Sequence, residues 1–462
     1  MSGWLGIGNV AIAGSSRFGL RVSLRAMITE IPTFREAVRF WLKLGFISFG
    51  GPAGQIAIMH TELVEKKRWI DESRFLNALN YCMLLPGPEA TQLAIYCGWL
   101  LHRARGGIVA GVLFVLPSAV ILWGLSYLYA AYGKLAWIAA VFEGLKPAVV
   151  AIVAVAVWRI GQKALKSIVL WAIAGVAFVA IFWLKVPFPA IIAGAAVCGL
   201  IGLRVWPEVF AGRGAGVGGV ARRDEAYVAS DRGALGIMRP TWGRAARVVA
   251  ISCLLWFTPV CAVAAWQGWE GMFTRMGIFF SQAALVTFGG AYAVLPYVAQ
   301  QAVETHAWLT APQMLDGLGL AETTPGPLIM VLQFVGFMGG WQQPGTLSPL
   351  MAATIGAALT TWVTFVPSFM FIFLGAPHLE QLRGNRSANA ALVAVTAAVV
   401  GVVLNLAVWF AWHVFRTAAG DWSGFAIAVA SIAFLAQWRF KVSVVTIVLA
   451  GGLAGWLWSV AT

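Results

Sequence analysis

Two short motifs rich in glycine and proline each occur twice in the chain, and their chemistry suits the binding of an anion. Phe-Gly-Gly-Pro at 49–52 is matched by Phe-Gly-Gly-Ala at 288–291, and Pro-Gly-Pro at 86–88 is matched by Pro-Gly-Pro at 325–327. Proline lacks an amide hydrogen and glycine frees the backbone, so each motif should break a helix. The helix that resumes after a break begins with unpaired N–H groups, which favour an anion.

Polar residues flank the four breaks and complete the predicted binding site. We expect arms that open at Gly54–Gln55 and Glu89–Thr91, and after Gly290 and Pro327, to point their positive ends at the middle of the membrane. The alternative is that the breaks only kink packing helices. The predicted substrate-binding residues are Ser48, Gly50, Gly51, Gly54, Gln55, Gly87, Glu89, Thr91, Gln92, Thr287, Gly289, Gly290, Tyr292, Thr323, Thr324 and Gly326.

Charged residues near the breaks are few, and two of them are carboxylic acids. Glu89 directly follows the first Pro-Gly-Pro and Glu322 lies just before the second, so both are candidates for binding the protons that would drive transport. Glu89 could equally cap the N-terminus of its arm. Arg39 and Lys43, four positions apart, share a helix face and could attract an anion; snorkelling towards the membrane surface is the alternative.

Several motifs of enzymes do not occur in the sequence. It contains no GxxxxGK[ST] phosphate loop, no HExxH zinc motif and no GxSxG nucleophile elbow. The five cysteines are odd in number and form no CxxC pair. The sequence therefore predicts neither an enzyme nor a site for a metal ion or another cofactor.

The composition defines the elements that must position these residues. Hydrophobic residues make up 60% of the chain and charged residues 11%, whereas a soluble globular domain has about 25% charged residues. This excludes a soluble enzyme, a secreted disulfide scaffold and a disordered protein, and predicts a multi-pass protein with the lipid bilayer as its surroundings. Long apolar runs lie at about 107–130, 136–157, 167–184, 187–203, 246–266, 350–375, 388–412, 423–437 and 442–460.

The net charge of +14 does not indicate a nucleic-acid partner. The basic residues lie beside apolar spans and form no stripe interleaved with aromatic residues. Much of the excess lies in the N-terminal segment and in 204–247, where arginines outside the apolar runs set the orientation in the membrane.

The motif pairs show that the chain is a duplicated unit. Both pairs are separated by 239 residues, and so are Trp69-Ile70-Asp71 and Trp308-Leu309-Thr310. Leu116-Pro117-Ser118 and Val366-Pro367-Ser368 are separated by 250, so the second half has gained about 11 residues near 339–348. One spacing shared by unlike motifs is the mark of an internal repeat.

The repeat defines the expected organisation. The extra apolar run at 246–266 has no counterpart before the first half, so it should invert the second half relative to the first, a common plan among transporters. The expected units are a cytoplasmic tail at 1–33, a first repeat at 34–203, a basic cytoplasmic linker at 204–245, an inverting transmembrane helix at 246–266 and a second repeat at 267–462.

The distribution of positive charge favours re-entrant hairpins at the breaks. The connection 60–74 contains Lys66, Lys67, Arg68 and Arg74, whereas 300–316 contains no lysine or arginine. Both connections obey the positive-inside rule only if each broken segment turns back at its break; discontinuous spanning helices are the alternative. Thr33 with Glu36, Asp71, and Thr310 with Gln313 are expected to cap helices that lead into the breaks. The predicted fold is an all-α polytopic membrane protein with two homologous, inverted halves.

These residues resemble a known family. Phe-Gly-Gly-Pro at 49–52, Leu-Pro-Gly-Pro-Glu at 85–89 with Gln92, and their second-half partners are similar to the chromate ion transporter family, long-chain two-domain type, over roughly 35–410. The resemblance implies secondary active export of chromate from the bacterial cytoplasm across the inner membrane, driven by the membrane potential or a proton gradient, and hence chromate resistance. It implies a sulfate-like oxyanion as substrate.

The second half departs from the family pattern at two positions. Ala291 replaces the counterpart of Pro52, and Leu328 replaces the counterpart of Glu89, so the two halves are expected to play unequal roles. A permease for sulfate or another oxyanion is the alternative function, followed by a membrane-embedded enzyme or a scaffold subunit. A homodimer is compatible with the sequence.

Overall fold

A computed structural model describes residues 32–210, 241–376, 386–417 and 420–461. The expected N-terminal tail at 1–33 lies almost wholly outside these ranges, and so does most of the linker at 204–245. The helices of the first half are α1 (Phe34–Ile47), α2 (Gly51–His60, extended by a π-helical turn at Thr61–Lys66), α3 (Glu72–Cys82), α4 (Glu89–Tyr132), α5 (Ala136–Ala164), α6 (Ile168–Phe182), α7 (Phe188–Val205) and the short α8 (Pro207–Phe210).

The second half repeats this order after one additional helix, α9 (Trp242–Gln267). The predicted inverting helix at 246–266 lies within α9. The helices that follow are α10 (Met272–Val286), α11 (Ala291–Gln300, extended by a π-helical turn at Gln301–Thr305), α12 (Ala311–Thr323), a 3₁₀ turn (Leu328–Met330) leading into α13 (Val331–Gln342), α14 (Pro349–Gly375), α15 (Arg386–Phe415), α16 (Gly424–Arg439) and α17 (Val444–Ala461).

The described chain is built from helices and contains no β-strand in the ranges given above. Seven of its helices, namely α4, α5, α7, α9, α14, α15 and α17, are long and apolar enough to cross a membrane. The predicted all-α, multi-pass architecture is therefore confirmed. The helices α6, α10, α13 and α16 are also apolar but shorter.

The predicted caps are present at the start of three helices that lead into the breaks. Thr33 and Glu36 form a reciprocal capping box at α1, and Thr310 and Gln313 form the same box at α12. The Asp71 side chain accepts the Arg74 amide at 2.8 Å and so caps α3. Short polar side chains at these positions satisfy amides that the helix itself leaves unpaired.

The chain reverses direction at the first break of each half. The Trp69 ring, beyond the far end of α2, lies 5.1 Å from the Phe40 ring in the middle of α1. The same contact recurs in the second half, where the Trp308 ring lies 5.7 Å from the Phe279 ring. A discontinuous spanning helix would place these rings on opposite sides of the break, so the contacts favour the hairpin form, whose sidedness in a bilayer stays a prediction.

The second break of the first half is also followed by a reversal. His102, at the end of the first part of α4, hydrogen-bonds through Nε2 to the Pro32 carbonyl oxygen at 2.9 Å, beside the start of α1. The helix is interrupted at His102 and Arg103, which have non-helical backbone angles. The chain then turns back, because Gly98 packs directly against Gly106. Glycine permits this close approach of two backbones.

Two large apolar cores surround the hairpins. The first-half hairpins α1–α4 form one core, which the end of α14 completes through Ile372. The second-half hairpins belong to a larger core that includes α5 and α15. The first break is therefore less covered, and Phe49 is 37% exposed.

Candidate anion-binding site

The four breaks depend on glycine because their backbones are left-handed. Gly87 has φ +121° and Gly326 has φ +106°, values that residues with a side chain rarely adopt. The glycine pairs at the other two breaks, Gly50–Gly51 and Gly289–Gly290, are also left-handed. The predicted helix breaks are thus present at all four motifs.

The breaks of one half contact the breaks of the other. Gly87 donates its amide to the Thr287 carbonyl oxygen at 2.7 Å, and Gly326 donates its amide to the Ser48 carbonyl oxygen at 2.7 Å. The two bonds are equivalent under the repeat, since Thr287 is the counterpart of Ser48 and Gly326 that of Gly87. The four breaks therefore meet at one place in the fold.

A small cavity of about 10 Å³, room for about one water molecule, lies where the four breaks meet. Its walls are the first turns of α2, α4 and α11 and of the 3₁₀ turn before α13. The lining residues are Pro52, Gln55, Pro88, Glu89, Ala90, Ala291, Pro327, Leu328 and Ile329. Four helical N-termini therefore face one space, and their dipoles make it attractive to an anion.

The helical segments that begin at this cavity have no side-chain cap. The residues at their N-cap positions are Gly50, Pro88, Gly290 and Pro327, and none of them has a side chain that accepts a hydrogen bond from the following amides. The helices α1, α3 and α12, which begin away from the cavity, are capped by Thr33, Asp71 and Thr310. The carbonyl oxygens of Pro88, Gly290 and Pro327 accept the Gln92, Ala293 and Met330 amides. The first-turn amides that precede these three are left for a ligand. The first arm begins at Gly51, three residues before the predicted opening at Gly54.

The first half supplies the polar side chains at the centre. Gln55 donates its amide to the Gly326 carbonyl oxygen, and Gln92 donates to the Pro86 carbonyl oxygen at 2.7 Å. Gln55 Oε1, Gln92 Oε1 and Thr91 Oγ1 are buried and have no partner among the described residues. Their second-half counterparts, Val294, Val331 and Met330, are apolar.

Four of the predicted hydroxyl donors are engaged within their own helices. Ser48 donates to the Leu44 carbonyl oxygen and Thr287 to that of Ala283, both at 2.6 Å. Thr323 and Thr324 both donate to the Leu320 carbonyl oxygen. These residues lie beside the breaks, as predicted, but the bonds leave their hydroxyl hydrogens occupied.

The two predicted coupling acids have different surroundings. Glu89 lines the cavity, and no hydrogen bond or ion pair joins its carboxyl group to another described residue. Glu322 is 5% exposed and accepts a hydrogen bond from the Tyr292 hydroxyl. Glu322 does not line the cavity, so only Glu89 faces a ligand there.

Arg39 and Lys43 lie on the exposed side of α1 and do not line the cavity. This placement favours the snorkelling alternative for both side chains. Within the described ranges, no group of three His, Cys, Asp or Glu residues could hold a metal ion.

Two buried polar residues were not among the predicted site residues. Ser368 on α14 has a buried hydroxyl with no described partner, and a side chain at Gly87 would meet it at 3.1 Å. The repeated Leu/Val-Pro-Ser motif, to which Ser368 belongs, is the sequence feature that could have identified it. Asp316 on α12 is 3% exposed. It is an acid in a stretch of sequence without lysine or arginine, and this feature could have marked it as a candidate.

Comparison with known proteins finds relatives along most of the chain. The chain is 33% identical over 425 residues to a chromate transport protein of Pseudomonas aeruginosa, covering 90% of each chain. It is 28% identical to a chromate transport protein of Cupriavidus metallidurans, covering 92% of each. A probable chromate transport protein of Synechococcus elongatus is 26% identical, over 92% of this chain and 95% of the relative. No solved structure matches the chain.

The family model matches the chain twice, once in each half. The family model described as "chromate transporter" matches residues 35–200 and again residues 274–456. These two matches contain all four breaks and every helix that lines the cavity. The relatives are named as transporters, which points to a transporter and not to an enzyme. The chain belongs to the chromate transporter family.

Proposed function

We propose that this protein is a secondary active transporter that exports chromate from the bacterial cytoplasm across the inner membrane and so confers chromate resistance. The observation that carries this proposal is the convergence of four uncapped helical N-termini on one cavity. Chromate is a dianion with four oxygen acceptors, which the amides of several N-termini can share. The names of the relatives support chromate as the substrate.

The cavity binds the anion without a full positive charge. No lysine or arginine is among its lining residues, and the amides at the helix ends supply partial positive charge. A site of this kind holds a dianion more weakly than a cluster of arginines does, which suits release on the other side. Gln55 and Thr91 stand at or next to the cavity and orient the oxyanion through side-chain hydrogen bonds.

Glu89 makes binding of the oxyanion depend on protons. Its carboxyl group lines the same cavity, so its ionised form repels a dianion and its protonated form does not. Proton binding and oxyanion binding at this place are thereby linked.

Sulfate is the second candidate substrate, because it has the same charge and tetrahedral shape as chromate. Everted membrane vesicles, energised by respiration, should accumulate radiolabelled chromate when they contain this protein. Excess sulfate should compete if the cavity recognises only charge and shape. Vesicles that accumulate no chromate above those lacking the protein would contradict the proposal.

A further inference from the structure

A buried carboxyl group lies away from the cavity and has no role in the function proposed above. Asp316 is on α12, the helix that leads into the second Pro-Gly-Pro, and is 3% exposed. Tyr129 on α4 donates its hydroxyl to Asp316 Oδ2 at 2.8 Å. Asp316 Oδ1 is buried and accepts no hydrogen bond from the described residues.

The charged groups around Asp316 do not form an ion pair with it. The helix α12 packs against α4, α5, α13, α15 and α17, and the titratable groups facing Asp316 from these are Tyr129 on α4 and Glu143 and Lys146 on α5. Lys146 Nζ instead pairs with Glu143 Oε1 at 2.5 Å. The cation nearest to Asp316 is therefore already shared with another carboxylate.

The Glu143–Lys146 ion pair near Asp316 reaches the surface of the molecule. The Glu143 side chain is 68% exposed and the Lys146 side chain 14%, and Asp316 lies further inside. Glu322 follows Asp316 by six residues on α12, a rise of about 9 Å at 1.5 Å per residue. Glu322 is also buried and also bound by one tyrosine hydroxyl, that of Tyr292. Two carboxyl–tyrosine pairs thus follow each other along α12, in the direction from its N-terminus towards the breaks.

The first half lacks both carboxyl groups. The counterparts of Asp316 and Glu322 are Asn77 and Met83. Conversely, the unpartnered side chains of Gln55, Thr91 and Gln92 near the cavity belong to the first half, and their counterparts are apolar. The repeat therefore divides the side chains, with the unpartnered amide groups beside the cavity in the first half and the two tyrosine-bound acids in the second.

We propose that Asp316, bound by Tyr129, is a proton-binding site of the transport cycle, separate from the oxyanion cavity and entered from the side of Glu143. This inference rests on the proposed transport function. Burial of an ionised carboxylate without its own cation is unfavourable, and a proton on the free Oδ1 removes that charge. Glu322, about 9 Å further along α12, is the next carboxyl group towards the breaks.

The test uses the full-length protein in liposomes that contain a pH-sensitive dye. Asp316→Asn keeps an acceptor for the Tyr129 hydroxyl but cannot carry a proton. We expect this variant to exchange labelled for unlabelled chromate at equal pH on both sides, while its proton movement driven by a chromate gradient falls about tenfold or more. Asp316→Glu should restore proton movement. Asp421→Asn, the same change at an exposed position, is the matched control and should behave as the unaltered protein does.

Each result decides between this inference and its rivals. Unaltered proton movement in Asp316→Asn would overturn the inference, and so would loss of exchange together with proton movement, which indicates a structural role. If the unaltered protein exchanges no chromate, the proposed function fails. The proton site is then tested by infrared spectroscopy, where a protonated-carboxyl band that disappears in Asp316→Asn supports it and identical spectra overturn it.

Discussion

The amide nitrogen of Gly87 lies 2.7 Å from the carbonyl oxygen of Thr287, which is 200 positions further along the chain and in the other repeat. The equivalent bond from Gly326 to Ser48 has the same length. Each half therefore contributes one donor and one acceptor to the junction of the four breaks. Neither half can form this junction alone, so the cavity depends on both copies of the repeat.

Gly87→Ala and Gly326→Ala should both destabilise the junction. An alanine would be forced into a left-handed conformation, at a cost of about 1–3 kcal/mol. Its methyl group would also meet the Gln92 Nε2 atom at 2.8 Å in the first case and the Ser118 Cβ atom at 2.5 Å in the second. We expect a lower Tm in detergent and reduced chromate transport for both variants.

Gly194→Ala on α7 is the matched control for these changes. A methyl group there would have no neighbour within 4 Å, and alanine favours a helix over glycine by about 1 kcal/mol. Its Tm should be unchanged or higher. An equal loss of stability in all three variants would show that the junction has no special need for glycine.

The breaks could be predicted from the sequence because their cause is local. A Gly-Gly or Pro-Gly-Pro sequence disrupts a helix wherever it occurs, and the caps Thr33, Asp71 and Thr310 follow from equally local chemistry. The pairing of Gly87 with Thr287 could not be predicted in this way. It depends on how two halves pack, and the sequence specifies that packing only through the whole core.

The hydroxyl groups beside the breaks make local hydrogen bonds that their position next to a motif does not reveal. Ser48 and Thr287 were expected to donate to a ligand because they adjoin the breaks. Each instead donates to the carbonyl oxygen four residues earlier, a common bond for serine and threonine near the end of a helix. Asp316 was overlooked because it lies about two turns from the break, and its contact with Tyr129 joins residues 187 positions apart.

Gln55→Glu should weaken chromate binding by placing a carboxylate in the wall of the cavity. Gln55 lines the cavity, and an added negative charge beside a dianion costs energy even at an effective dielectric constant near 20. We expect the apparent KM for chromate to rise about tenfold or more in vesicles at neutral pH.

Gln333→Glu is the control for the effect of a buried charge as such. Gln333 on α13 is also buried and also donates to a carbonyl oxygen, that of Ala119, but it does not line the cavity. If both variants raise the KM equally, the cavity is not where chromate binds. If only Gln55→Glu does so, the oxyanion passes through the junction of the breaks.

Lys66→Cys and Thr305→Cys should report opposite sides of the membrane. The two positions are equivalent under the repeat, and both are exposed. With re-entrant hairpins and inverted halves, a membrane-impermeant thiol reagent applied from outside should label position 305 and not position 66. The native cysteines are replaced first, and everted vesicles should give the opposite pattern. Labelling of position 66 from outside would contradict the re-entrant topology.

Glu89→Gln should remove the pH dependence of chromate binding. As the pH rises, Glu89 ionises in the wall of the cavity and repels the dianion, so the affinity of the unaltered protein for chromate should fall. Glutamine is neutral at every pH, so the affinity of the variant should stay nearly constant over the range of pH in which chromate itself stays a dianion. Binding of radiolabelled chromate to purified protein, measured across a pH series, gives both curves.

Glu208→Gln on α8 is the control for this change. Glu208 is exposed and does not line the cavity. Its curve should follow that of the unaltered protein. If the curve of Glu89→Gln also follows it, Glu89 does not link protons to the oxyanion, and its place after Pro88 reflects only the preference for an acid in the first turn of a helix. A flat curve for Glu89→Gln with normal affinity at low pH would instead make Glu89 the group through which protons control chromate binding.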